Sequence, residues 1–185
     1  METKGDLIKT IFIHGMPLSE LASLFSCNIN SDYSDEYYLG VAYNISQTDS
    51  HYLLEHIHEY SGSRLRGAVF GVGWSPKKDD KQKNLLLSLL GHSEPLVIAE
   101  AIDALRHSDY GDLWPRIEPL LRHESPYVIV AALRYARFAL PPEQALQILK
   151  DALPNPDSIV RQNALDELGD LGDRRALEFI RPFCD

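Results

Sequence analysis

Residues 155–172 show the apolar spacing of one face of an α-helix. The apolar positions are Val160, Ala164, Leu165, Leu168 and Leu171. Before them, Asp157 or Ser158 is suited to accept hydrogen bonds from the first free N–H groups of a helix. After them, Gly172 tolerates the left-handed backbone conformation at which many helices end. The pattern therefore predicts a turn, a helix and a stop.

The same pattern recurs toward the N-terminus at steps of 32, 31 and 32 residues, with Val160 as the anchor. The equivalent anchors are Val128, Val97 and Leu65. A candidate first helix precedes each copy, and these candidates span residues 51–60, 83–90, 113–121 and 143–153. A period of this length is typical of stacked helix pairs.

The repeat predicts one domain over residues 1–185. Its helix pairs span residues 50–74, 83–109, 113–139 and 143–172, and residues 174–185 form a capping half-repeat. Residues 17–46 are interpreted as a degenerate repeat. Within it, residues 35–46 are expected to be helical, although their alternation leaves a strand open as the alternative. We expect Gly67, Gly71 and Gly73 to allow close helix–helix approach.

The best-formed copy resembles the second helix of HEAT repeats of the phycobilisome-lyase type. The resemblance lies in the Asp-Pro-like turn, the Val160–Arg161 pair, Ala164 and the Leu-Gly close at residues 171–172. It implies an all-α, right-handed α-α superhelix of about four to five helix pairs, with Arg161 in a structural role. Ile98 and Ile129 depart from the family's arginine at that position.

The chain carries a net charge of −9, and residues 1–60 hold nine acidic and two basic residues. Such a chain is poorly suited to nucleic acid or an anionic membrane and better suited to a basic protein partner. Cys27 and Cys184 are the only cysteines. They favour two reduced thiols, although a disulfide between them stays open. The N-terminus lacks the features of a signal peptide, and no stretch is long enough to span a membrane. We therefore expect a cytoplasmic protein.

No phosphate loop, nucleophile elbow or cysteine–histidine pair appears in the sequence. We therefore expect no enzymatic activity, no catalytic residue and no cofactor. His51, His56 and His58 offer ligand types suited to zinc or iron, but a solvated helix face accounts for them and no metal site is predicted. The di-iron deoxyhypusine hydroxylases carry His-Glu pairs on HEAT repeats. The two intact pairs of this chain, at residues 58–59 and 123–124, are too few and lie outside the second helices.

His92 and His123 occupy equivalent turn positions, and we expect each to bond a free carbonyl at the end of a first helix. The linker residues Asp79 and Asp80 are interpreted as solvated charges.

The predicted function is non-enzymatic protein binding on the surface of a solenoid. In its small size, its acidity and its repeats, the chain resembles the immunity proteins of bacterial toxin systems. This resemblance implies that the chain neutralises a cognate, basic toxin. A generic adaptor or regulator is the alternative, followed by a phycobilin lyase-like or metal-dependent HEAT-repeat enzyme. The predicted partner-binding residues are Tyr33, Asp35, Glu36, Tyr37, Trp74, Asp103, Arg134, Tyr135, Asp166 and Glu167. Packing on a neighbouring helix is the competing interpretation for Tyr37 and Trp74.

Overall fold

A computed structural model describes residues 15–29 and 34–183. Throughout these ranges the regular structure is helical, with no strand. The expected all-α class, with sequential helix–helix packing, is confirmed. The strand alternative for residues 35–46 is wrong, because they lie within the helix Ser34–Thr48. Tyr33 and Cys184 lie outside the described residues. The chain falls into two compact units, which divide between Gly91 and His92, inside the predicted repeat 83–109.

The first unit contains five described α-helices. They are α1 (Leu18–Ser26), α2 (Ser34–Thr48), α3 (Tyr52–His56), α4 (Gly62–Trp74) and α5 (Asp80–Leu89). Helix α2 packs against α1, α3 and α4, and it shares its most extensive interface with α4. Gly67 and Gly71 of α4 make this interface possible, because a Cβ on Gly67 would lie 2.7 Å from Tyr38 Cβ. The predicted close helix approach is therefore present at both glycines.

The second unit repeats one arrangement along the chain. Its helices are α6 (Pro95–His107), α7 (Trp114–Ile117), α8 (Pro126–Ala139), α9 (Pro142–Ala152), α10 (Ser158–Leu171) and α11 (Leu177–Ile180). The second helices of the repeats are neighbours, since α6 packs on α8 and α8 packs on α10. Helix α9 packs against both α8 and α10. This sequential packing is that of an α-solenoid.

Helix α10 has the boundaries that its sequence predicts. The Asp157 side chain accepts a hydrogen bond from Ile159 N at 2.8 Å, and Gly172 ends the helix in the left-handed conformation with φ 67°. Val160, Ala164 and Leu168 of α10 are buried in the core of the second unit.

Two predicted first helices are shorter than expected. The segment predicted over residues 113–121 contains only one α-helical turn, α7, between the 3₁₀ turns Gly111–Leu113 and Glu118–Arg122. Pro119 has no N–H to donate within this segment, which accounts for the interruption. The segment predicted over residues 51–60 ends as an α-helix at His56 and continues as a 3₁₀ turn, Ile57–Glu59.

Candidate protein-binding surface

The turns before the second helices share one hydrogen bond. In three successive repeats a side chain accepts from the backbone N–H two residues later. The bonds join His92 Nδ1 to Glu94 N (3.1 Å), His123 Nδ1 to Ser125 N (3.0 Å), and Asn155 Oδ1 to Asp157 N (2.9 Å). The histidines therefore bond the start of the following helix. The expectation that they bond a carbonyl at the end of the preceding helix is wrong, because the acceptor nitrogen lies within reach of the turn's own N–H.

An exposed apolar row runs along the same ends of α6, α8 and α10. It consists of Leu96, Tyr127 and Ile159, the residues that directly precede the buried anchors Val97, Val128 and Val160. Their exposed fractions are 40, 50 and 42 %. Since adjacent helix axes lie about 8–10 Å apart, the row extends over roughly 20 Å. We call these helix ends and the turns before them the turn edge.

A groove opens on the turn edge between the third and fourth predicted repeats. Its volume is about 590 Å³, within the range of roughly 300–1,000 Å³ that is common for binding pockets. It is lined by Leu121, Arg122, His123, Glu124, Pro126, Ile129, Asn155, Pro156 and Asp157. A second cavity of about 300 Å³ adjoins it, shares Ile129 and Asn155, and adds Asp151. We call the first cavity the inter-repeat groove.

Acidic side chains surround these apolar and concave features. Glu94 and Glu124 are exposed, and Asp157 is partly buried in the groove wall. The groove also carries one arginine, the exposed Arg122. Arg161 lies in the first turn of α10, and its Nη1 donates to the carbonyl oxygens of Asn155 (2.8 Å) and Pro156 (2.7 Å) in the turn before that helix. This bonding gives Arg161 the structural role that the resemblance implies.

Ion pairs link the second helices about two turns beyond the exposed row, because Asp103 and Arg134 follow Leu96 and Tyr127 by seven residues. Arg134 of α8 donates to Asp103 of α6 at 2.8 Å, and Arg106 approaches the same carboxylate at 3.3 Å. One repeat later, Arg137 of α8 pairs with Glu167 of α10 and reaches Asp170 at 3.3 Å. Asp103 and Arg134 were predicted to meet a partner, but in this structure they neutralise each other.

Two of the predicted contact residues are buried. Tyr135 has no exposed surface, and its hydroxyl donates to the Tyr110 carbonyl oxygen and accepts from Leu113 N at 3.3 Å. Burial raises the pKa of Tyr135 to about 12. The Glu167 side chain is 8 % exposed because Arg137 covers it. Both residues contribute to the packing of the unit and are too buried to contact a partner. Asp166 is exposed as expected.

The described residues of the predicted tyrosine and acid patch are partly buried in the first unit. Tyr37 donates to the Leu24 carbonyl oxygen at 3.0 Å, and burial raises the pKa of its phenol. Asp35 accepts from Arg66 of α4. Glu36 is partly buried in the first turn of α2. Trp74 packs its ring edge-to-face on Tyr43, at 6.1 Å between centroids, and is partly buried.

Two of the three histidines near residue 51 also have structural partners. His51 Nε2 lies 2.9 Å from Asp79 Oδ2, and His56 Nδ1 lies 2.8 Å from the Tyr52 carbonyl oxygen. Asp79 also accepts from Gln82 N at 2.9 Å and so begins α5. The Gln82 bond, followed by the His51 bond, lowers the pKa of the Asp79 carboxyl. Asp79 is therefore a capping residue, and its interpretation as a merely solvated charge is wrong.

Neither a metal centre nor a membrane-spanning helix is present in the part of the chain that the structure describes. Residues 15–29 and 34–183 contain no group of three or more metal-binding side chains arranged to hold an ion. Among the helices in those ranges, none combines the length and apolar character needed to cross a membrane.

The repeat geometry agrees with one comparison to known proteins. Residues 113–185 match a family model of HEAT repeats. Together with the helical architecture, this match supports a HEAT-repeat fold. HEAT repeats generally mediate protein–protein interaction and the family is generally non-enzymatic. No curated protein and no solved structure matches the chain.

The turn edge was missed at the level of sequence, although a signal for it exists. An apolar residue stands directly before the anchor in three copies, at residues 96, 127 and 159. Two adjacent positions on a helix lie about 100° apart, so they cannot both face the centre of one narrow apolar stripe. An apolar pair repeated three times therefore marks a second surface.

Proposed function

We propose that this chain is a non-enzymatic protein-binding module whose turn edge contacts the partner. The observation that carries the proposal is the exposed row of Leu96, Tyr127 and Ile159, which repeats at equivalent positions of three neighbouring helices. A repeated apolar row beside a groove is a feature of interaction surfaces, whereas apolar residues scattered singly over a surface are ordinary. HEAT repeats in residues 113–185 agree with this role.

The charges of the turn edge define the kind of partner. Glu94, Glu124 and Asp157 lie close to the apolar row, and the whole chain has a net charge of −9. A partner that places apolar side chains between basic ones complements this surface. The acids would speed its approach and set its orientation, while burial of the apolar row would supply most of the affinity.

A matched pair of double variants tests the proposal. Tyr127→Ser with Ile159→Ser removes two side chains of the row that are 50 and 42 % exposed. Leu177→Ser with Phe183→Ser removes two side chains that are 51 and 48 % exposed but lie outside the row. Proteins captured from the native host by the parent chain are identified, and each is then titrated against both variants by calorimetry. We expect at least tenfold weaker binding for the first variant and parent-like binding for the second. Equal affinities for both would refute the turn edge as the binding surface.

The narrower form of the proposal is an immunity protein in a bacterial cytoplasm that neutralises a basic toxin domain. Its support is the small size and acidity of the chain together with the repeat fold. A toxin domain encoded beside this chain should lose its growth inhibition when both are expressed together. Unchanged toxicity would remove the immunity role and leave the general binding role, a generic adaptor or regulator, in place.

A further inference from the structure

The inter-repeat groove lies where the next repeat holds an arginine side chain. We propose that it binds the guanidinium group of an arginine from the partner protein. This inference rests on the proposed function, because it names the chemistry that the partner brings to the turn edge.

The turns at the two positions agree in the conformation of the residue before the helix and in the hydrogen bond within the turn. Ser125 and Asp157, the residues that precede α8 and α10, have φ/ψ values of −84/125° and −79/128°. The turn hydrogen bonds before them, made by His123 and Asn155, measure 3.0 and 2.9 Å. The carbonyl groups of His123 and Glu124 therefore correspond to those of Asn155 and Pro156, 32 residues later.

The two positions differ in what meets these carbonyl groups. In the later turn, Arg161 Nη1 donates to both oxygens, at 2.8 and 2.7 Å. In the earlier turn Ile129 occupies the position of Arg161 and has no donor. In the described parts of the chain, no side chain donates to the carbonyl oxygens of His123 and Glu124. The chain thus builds a guanidinium-binding turn twice and fills one of them itself.

The groove has the space and charge for this ligand. Its volume is about 590 Å³, and Glu124 and Asp157 line it beside the turn carbonyls. Leu121 and Ile129 supply apolar wall on which the methylene stem of an arginine can lie. The planar guanidinium offers five donors to carbonyl and carboxylate acceptors, whereas a lysine ammonium offers a compact charge with three. Arg122 is the opposing charge, and its side chain is exposed.

The position at a helix N-terminus does not exclude a cation. The partial positive charge of the helix N-terminus disfavours a cation there. Arg161 nevertheless occupies the equivalent place at the start of α10, because two carbonyl acceptors offset this cost. The other departure from arginine, Ile98, is only 4 % exposed and leaves no open position.

The test uses small amides as probes and the full chain as the receptor. N-acetyl-arginine amide is titrated into ¹⁵N-labelled protein, with the lysine and citrulline amides as matched controls. We expect the arginine probe to shift the backbone amide signals of residues 122–129 and 155–157, with a dissociation constant on the order of millimolar. We expect much smaller shifts from lysine and none from citrulline. Equal shifts from lysine or citrulline, or shifts at these residues from inorganic phosphate instead, would overturn the proposal.

Ile129→Arg supplies the missing guanidinium within the chain and should abolish the shifts. Ile129→Leu retains the apolar wall and should bind the probe as the parent does. Thermal melting shows whether the arginine variant is folded. If it is not, Glu124→Gln provides the second test, with affinity for the probe expected to fall about two- to fivefold. Parent-like probe binding by a folded Ile129→Arg variant, or by Glu124→Gln, contradicts the assignment. Loss of partner binding in the Tyr127→Ser/Ile159→Ser variant without any arginine binding would refute the groove alone and leave the proposed function standing.

Discussion

A single methyl group at Gly71 should destabilise the first unit, although it should favour the helix that carries it. The Cβ of Gly71→Ala would lie 2.7 Å from the Ala42 carbonyl oxygen and 3.0 Å from its carbon, and would overlap Leu53 Cδ1. The leucine methyl can rotate away, but the backbone of α2 has to move. Overpacking of this kind costs about 1–3 kcal/mol, and the backbone contact places the cost in the upper half of that range. Alanine regains about 1 kcal/mol of helix propensity. The expected net loss is therefore about 1–2 kcal/mol.

Gly169→Ala is the matched control, because Gly169 is also a helical glycine but its added Cβ would meet nothing within 4 Å. It should stabilise the protein by up to about 1 kcal/mol. Each variant is melted while its helical circular-dichroism signal is followed. For a chain of this length, 1 kcal/mol corresponds to roughly 2–4 °C. We expect Gly71→Ala to melt about 2–8 °C below the parent and Gly169→Ala at or above it. If both melt above the parent, close approach of α2 and α4 is not the reason for Gly71.

Three further predictions concern buried polar chemistry. Ala164→Asp places a carboxyl at a fully buried site and should lower the free energy of unfolding of the second unit by several kcal/mol. This loss should appear as a lower midpoint of urea unfolding, and a parent-like midpoint would place Ala164 outside the core. Burial raises the pKa of Tyr135 from 10.0 to about 12, so its neutral form is favoured in the folded state. This contribution to stability is complete below about pH 10 and is lost as the pH rises through about 12. Burial likewise raises the pKa of Tyr60 to about 12. Absorbance at 295 nm should therefore show both tyrosines ionising late, and Tyr135→Phe should remove one late step. Glu167→Ala should lower the free energy of unfolding by about 1–2 kcal/mol, because it leaves Arg137 without its buried partner. The exposed neighbour is the control, and Asp166→Ala should change that free energy by less than about 0.5 kcal/mol. Equal effects of the two substitutions would contradict the pairing of Arg137 with Glu167.

The helical boundaries near residue 160 were predictable because their signals are local. The Asp157 side chain caps α10 by accepting from the N–H of Ile159, two residues later, and Gly172 ends the helix through its own backbone conformation. The anchors Val97, Val128 and Val160 repeat at nearly constant spacing and are all buried. Local capping and periodic burial depend on short-range geometry, so one sequence suffices to place them.

The candidate site was less predictable because it depends on which groups meet across repeats. Tyr135 and Glu167 carry side chains typical of contact surfaces, yet both form hydrogen bonds inside the unit. Tyr135 donates to the Tyr110 carbonyl oxygen, and Glu167 accepts from Arg137. Asp79 resembles a solvated loop charge until His51, 28 residues earlier, is placed beside it.

The sequence by itself determined the helical repeat, its register and the presence of Ile129 at the position where the next repeat has Arg161. Only the tertiary structure decided that this exchange leaves a groove with Glu124 and Asp157 in its wall. The reason is physical: periodicity reports which side of a helix is buried, whereas an open volume and the pairing of charges depend on the distance to neighbouring helices.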